Sequence, residues 1–235
     1  MKKSEKSFFV PDILYEDNHI IAVNKQASQI VQGDKTGDIP LSDLMKSFIK
    51  QRDSKPGNVF LGVVHRLDRP VGGVTLFAKT DKALTRLNEM FQKGEIVKNY
   101  FAVVKHEPAK QHDLLTHYLV RNEQQNKSYA FDRPQKNAKE ARLEYTVIER
   151  INTYTLLNVR LFTGRHHQIR AQLAAIGSPI KGDLKYGFDR PNKDASISLL
   201  ARSVAFAHPV KKIPITIVAP LPDSDVWQFF HLPEQ

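Results

Sequence analysis

Cysteine is absent from the 235 residues. This removes disulfides, Cys-type zinc sites and thiol nucleophiles together. No run comes near the roughly 18 apolar residues that a spanning helix needs, so no segment reads as a membrane span. The phosphate-cradling GxxxxGK[ST] and GxGxxG loops are missing, as is the GxSxG elbow of a hydrolase. Glu16-Asp17 has no obvious partner for the paired-carboxylate work of a glycosidase. Acidic residues are also the minority: 25 Asp and Glu stand against 35 Lys and Arg, a net charge of +10. That excess favours a polyanionic partner, nucleic acid before an anionic membrane surface. Apolar residues at 41% and aromatics at 9% describe a folded chain with a core. The start, Met1-Lys2-Lys3-Ser4-Glu5-Lys6, has the charge of a leader, but Phe8-Phe9-Val10 runs straight into Pro11-Asp12. The expectation is a cytoplasmic protein without a leader.

Neither a repeat nor a linker interrupts the chain, so residues 1–235 read as one domain. Ile13-Leu14-Tyr15 and His19-Ile20-Ile21-Ala22-Val23 read as strands around an Asp17-Asn18 turn. Apolar residues at 41, 44, 45, 48 and 49 predict a helix. Asp81 to Lys93 predicts a second, with Thr80 or Asp81 as its cap and Gly94 as its stop. His166 to Ile176 predicts a third, ended by Gly177. Strands are predicted over Val59–Val64, Val74–Ala78, Val97–Val104, Leu143–Ile148 and Tyr154–Phe162. The polar segment from Arg121 to Arg142 reads as a mobile basic loop or a solvated surface loop. Pro209 to Pro222 is too proline-rich for a helix, and Trp227-Gln228-Phe229-Phe230 should pack back onto the domain. Strands outnumber helices without βαβ alternation, which predicts an α+β fold with a mixed, mostly antiparallel sheet.

Two segments carry candidate chemistry. In His65-Arg66-Leu67-Asp68-Arg69, an apolar strand delivers a carboxylate between two arginines into a loop that includes Gly72-Gly73. It is either a reactive group with a ligand close by or a surface turn with a routine ion pair. The second segment, Gly164-Arg165-His166-His167-Gln168-Ile169-Arg170, opens a helix. Helical spacing stacks His166 on Arg170. Arg170, at the edge of a buried stripe, needs a structural carboxylate or a bound phosphate. Adjacent histidines do not share a helical face, and no carboxylate or Cys completes a metal set nearby.

Together these segments resemble the RluA-type RNA pseudouridine synthases. His65-Arg66-Leu67-Asp68 before Gly72-Gly73 is similar to the family's catalytic HRLD motif. Further similar blocks are Ile13–Asp17 with Ala22–Lys25, Lys98–Ala102, Gly164–Arg170, Gly177–Asp183 with Tyr186-Gly187, and Leu199–Ala201 with Phe206–Pro209. They follow family order. Departures occur at Val71-Gly72, Gln26-Ala27-Ser28 and Ala201-Arg202.

The resemblance implies the pseudouridine synthase catalytic fold, with an RNA cleft across its sheet. The implied reaction isomerises uridine in RNA, without metal or cofactor. Asp68 matches the catalytic aspartate, Tyr100 the tyrosine against the target base, and Arg170 the arginine paired with the aspartate. Arg66 matches an arginine that displaces the flipped base. Leu200 resembles an apolar contact below the base, or is plain packing. His65, Arg165, Gln168, Lys127 and Arg133 are expected RNA contacts. Whether Asp68 attacks the sugar, adds to the ring or takes a proton stays open. About a dozen residues precede the first block, so an N-terminal S4 domain is not expected. The expected substrate is a tRNA stem-loop in preference to rRNA, met by a monomer. Two alternatives remain: a catalytically silent RNA-binding module, and a metal-dependent nuclease using His65, His166 and His167.

Overall fold

Short alternating segments dominate the chain, and they assemble into one 11-stranded sheet. The structure is a computed structural model that describes residues 9–223 and 225–231; the charged start, Met1 to Lys6, lies outside them. In chain order the elements are β1 (Ile13–Glu16), β2 (Ile20–Lys25), α1 (Leu41–Arg52), β3 (Gly62–Val63), β4 (Gly72–Ala78), α2 (Asp81–Lys93), β5 (Val97–Val104) and β6 (His112–Asn122). They continue with β7 (Lys127–Phe131), β8 (Lys139–Ile151), β9 (Tyr154–Leu161), α3 (Gln168–Ala175), β10 (Leu199–Ala207) and β11 (Pro214–Val218). A last 3-10 turn spans Asp225–Phe229.

The sheet runs β1-β2-β4-β10-β5-β9-β8-β6-β7, with β3 added to β4 and β11 to β10. Every strand pair is antiparallel except β4 and β10. That parallel junction is short. Only Gly72↔Leu200 and Gly73↔Ala201 pair, after which β3 takes the edge of β4 and β11 that of β10. Gly73 has φ +110°, and a Cβ there would stand 2.3 Å from the Ala201 carbonyl oxygen. The backbones approach so closely that only glycine fits.

Alternation sorts the strand residues between the two faces of the sheet. Ile21, Val23, Phe77, Ala102, Leu157 and Leu199 face α1 and α3. Ile20, Ala22, Leu76 and Val204 face α2. Phe101, Val103 and Leu200 pack on Val226, Trp227 and Phe230, so the tail folds back as its aromatics predict. In α2 the Thr80 side chain accepts from the Ala83 amide, and Gly94 closes the helix in left-handed conformation.

Three expectations change. The segment Arg121–Arg142 is no loop; it holds the end of β6, all of β7 and the start of β8. Its buried positions are small or polar, such as Ser128 and Ala141, so the apolar pattern is faint. The strand expected over Val59–Val64 shrinks to Gly62–Val63, and Phe60 is 47% exposed. Gly72 and Gly73 belong to β4 rather than to the preceding connection.

Candidate active site

Asp68 lies in the connection between β3 and β4, near the β4–β10 junction. A small cleft of about 130 Å3 opens there, lined among others by Arg66, Asp68, Tyr100, Arg165, Arg170 and Leu199. Asp68 keeps 31% of its side chain exposed. Its carboxylate is held from one side: Arg170 Nη1 donates to Oδ2 at 3.2 Å, and His167 Nε2 lies 3.4 Å from the same oxygen. Asp68 Oδ1 has no such contact among the described residues.

Arg170 has a second and tighter partner. Its Nε and Nη2 donate to the two oxygens of Asp183 at 2.7 and 2.8 Å, a bidentate pair with Asp183 1% exposed. Burial of the guanidinium lowers its pKa, but the two carboxylates outweigh burial and raise it. The arginine is therefore a fixed cation that orients Asp68 with its remaining nitrogen. The sequence also put Arg66 and Arg69 beside Asp68. Arg69 instead turns to Asp38, at 2.6 Å, while Arg66 is exposed in the cleft.

Tyr100, on β5, forms part of the same wall. Burial, with the Asp68 charge adding to it, pushes its phenol well above the usual value, so the ring stays neutral. Leu199 presents the apolar surface beside it. Of the two readings of Leu200 the structure shows packing: its side chain leaves by the opposite face and packs with Phe101 and Trp227. A one-residue step along a strand changes faces, and the Gly72↔Leu200 pairing sets which residue looks into the cleft.

The third helix begins later than its pattern suggests. His166 precedes it, and His167 is the N-cap with a left-handed backbone, φ +52°. His166 therefore does not stack on Arg170 in a helical turn. The same turn does what a helix cannot and stacks the two adjacent imidazoles, with centroids 3.8 Å apart. His166 bonds to Ser128 Oγ and Asn126 Oδ1 on the β6–β7 hairpin. Gln168 is buried, accepting from Thr163 Oγ1 and the Arg165 amide and donating to the Arg142 carbonyl. It shapes the loop that carries Arg165, whose Nε donates to the Glu140 carbonyl.

His65 turns away from this cleft. Its Nε2 accepts from the Leu76 amide, and its ring stacks on Phe91 of α2. Burial lowers its pKa to about 4, so it is a neutral structural acceptor packed between β4 and α2. Lys127 sits on β7 with its ammonium over the Tyr129 and Tyr186 rings, and Arg133 is exposed in the connection after β7. Neither lines the cleft. The three histidines of the metal-nuclease alternative do not converge. Among the described residues no group of three or more His, Cys, Asp or Glu could hold a metal ion.

Four residues of the site went unread as such: His167, Leu199, Asp183 and Lys25. Lys25 is 1% exposed and donates to the carbonyls of Gln26, Arg69 and Val71. It clamps the turn that follows Asp68. Burial lowers its pKa to about 7, against the pull of the Asp68 charge. A lysine closing the strand pattern of β2 was the available signal.

Residues 19–175 match the family model for RNA pseudouridylate synthases. A ribosomal large subunit pseudouridine synthase D from Xylella fastidiosa is 32% identical over 91% of this chain and 66% of its own length. A ribosomal large subunit pseudouridine synthase C from Vibrio vulnificus is 31% identical over 89% and 65%. The chain thus spans about two thirds of the length of these curated relatives. Among solved structures, human RNA pseudouridylate synthase domain containing 4 superposes with TM-score 0.74 at 22% identity, covering 90% of this chain and 88% of that one. With the family model matching well over half its residues, and a fold shared with that human protein, the chain belongs to the RNA pseudouridylate synthase family.

Proposed function

We propose that the protein is an RNA pseudouridine synthase that isomerises a uridine in structured RNA, with Asp68 as its essential group. The observation that supports this most is the one-sided grip on Asp68. Arg170 and His167 both approach Oδ2, which leaves Oδ1 as a positioned anionic oxygen at the mouth of a cleft walled by Tyr100 and Leu199. A base extruded from its stack needs an aromatic or apolar face to receive it, and extrusion costs a few kcal/mol. In the reaction the N1–C1′ bond breaks and C1′ rejoins at C5; a proton leaves C5 and one returns to N1. Product and substrate are isomers, so neither an oxidant nor an activated water is required. That is why one carboxylate suffices here, whereas glycoside hydrolysis uses two.

Arg66 and Arg165 line the cleft as cations for the RNA backbone, backed by the overall excess of positive charge. The sequence favours a tRNA stem-loop, while the names of the two bacterial relatives speak of the large ribosomal subunit. The test therefore maps pseudouridine in both tRNA and large-subunit rRNA after incubation with the purified protein in chelator. Conversion at a defined uridine is expected. Asp68→Asn keeps the shape of the side chain and removes its charge, so turnover should vanish while RNA affinity stays within about tenfold. Substantial turnover by Asp68→Asn overturns the assignment. Binding without any conversion by the wild type would leave the silent RNA-binding reading.

A further inference from the structure

We infer that His167 is a positioning residue whose neutral imidazole presents an Nε2 proton to Asp68, in a tautomer set by Tyr186. The inference rests on the reading of Asp68 as the reactive carboxylate, but its hydrogen-bond core can be tested without turnover.

Three linked contacts carry it. Ser128 N–H donates to the Tyr186 phenol oxygen at 2.8 Å. That oxygen lies 3.0 Å from His167 Nδ1. His167 Nε2 faces a carboxylate oxygen, which only accepts, so the ring hydrogen belongs on Nε2 and Nδ1 takes the proton of the phenol, whose oxygen accepts from Ser128. A neutral imidazole that accepts at Nδ1 carries its hydrogen on Nε2. Nε2 is the atom 3.4 Å from Asp68 Oδ2. His167 is 8% exposed, and burial beside Arg170 lowers its pKa to about 2, so it donates as a neutral group without adding charge to the site.

The backbone agrees. A left-handed conformation at a histidine is strained, and such strain persists only where the surroundings enforce it. Here it is the turn that aims the ring at Asp68 and seats it against Tyr186. Arg170 alone would leave the carboxylate one donor on which to pivot; a second donor on the same oxygen fixes the direction of Oδ1. His167 lines the cleft while Ser128 and Tyr186 stand behind it, so a change at Tyr186 reaches Asp68 through the histidine and reads the chemical step rather than RNA binding.

The decisive measurement is nitrogen NMR of 15N-histidine-labelled protein, free of RNA, at pH 7. His167 is expected to show a protonated Nε2 and an unprotonated Nδ1, and Tyr186→Phe should turn this into a tautomer mixture. A protonated Nδ1 in the wild type overturns the inference. Kinetics provide the second arm. His167→Leu should lower kcat at least tenfold with KM within threefold. His167→Gln, which can place an amide nitrogen near the former Nε2, should recover at least threefold of that loss. Tyr186→Phe should lower kcat in the wild type but cost nothing more in the His167→Leu background. Full kcat in folded His167→Leu, or additive losses in the double variant, would show that the histidine only packs. A wild type that converts no uridine defeats the proposed activity instead, and the NMR arm still decides the hydrogen bond.

Discussion

Arg170 serves two carboxylates of unequal accessibility, and that asymmetry defines what its removal does. Asp183 is fully enclosed and bound by two nitrogens, whereas Asp68 is one-third exposed and bound by one. Arg170→Ala leaves Asp183 as an unpaired buried anion and should cost on the order of 3–5 kcal/mol, read by urea unfolding. Arg170→Lys keeps a charge but loses the fork. It should retain more stability than Arg170→Ala, yet lose turnover at least tenfold, because an ammonium cannot hold Asp183 and aim Asp68 together. Wild-type melting and turnover in both variants would contradict this geometry. The need of Arg170 for an anion was readable from its place beside a buried stripe. The identity of the main anion was not, since Asp183 stands in an irregular loop with no periodicity to mark its burial. His167 was hidden for a related reason: two adjacent histidines face apart on any helix, and only a left-handed residue brings them together.

At the scale of elements, helices were legible where cap, stripe and stop agreed, as in Thr80, Leu87, Met90 and Gly94. The β6–β7–β8 region was not, because its inward positions hold Ser128, Ala130 and Ala141, which pack under Tyr186 and α3 without a strong apolar signal. Strand parity gives a direct check on the cleft. Leu199→Ala should reduce turnover, because it strips the wall beside Tyr100. Leu200→Ala should cost on the order of 2–5 kcal/mol of stability, with kcat within threefold of wild type, because its cavity opens on the tail side. The reverse pattern, in paired melting and kinetic measurements, would show the register to be wrong. The link from β4 to α2 carries a pH signature through His65. The folded ring titrates at about 4 and an unfolded one near 6.5, so below pH 6.5 the unfolded chain binds more protons. Stability should fall as pH drops from about 6.5 toward 4, by on the order of 2–3 kcal/mol from this residue. His65→Asn should flatten that limb in urea unfolding measured from pH 8 to 5; an unchanged slope would mean that the ring is not buried neutral.

Over the whole molecule, the excess of ten positive charges acts on a polyanion through released counterions. RNA affinity should fall steeply with salt. Replacing Lys127, Arg133 and Lys136 together by Ser should reduce the slope of log K against log salt by about one unit for each RNA phosphate that these side chains neutralise. A slope equal to wild type would leave the β6–β7 hairpin and its following connection as solvated surface, and would confine the RNA to the cleft itself.

The two halves of the sheet meet at two residue pairs, Gly72↔Leu200 and Gly73↔Ala201, and the cleft lies across that seam. Asp68 arrives with one half; Tyr100, Arg170 and Leu199 arrive with the other. Asp68 and Arg170 are 102 residues apart in sequence, so joining them closes a long loop whose entropic cost is met only when the whole seam docks. Neither half alone contains a competent centre. During synthesis Asp68 emerges before Tyr100, Arg170 and Leu199, so under the proposed function a nascent or half-unfolded chain would lack the full set of groups. Under that function the seam ties the onset of turnover to completion of the fold.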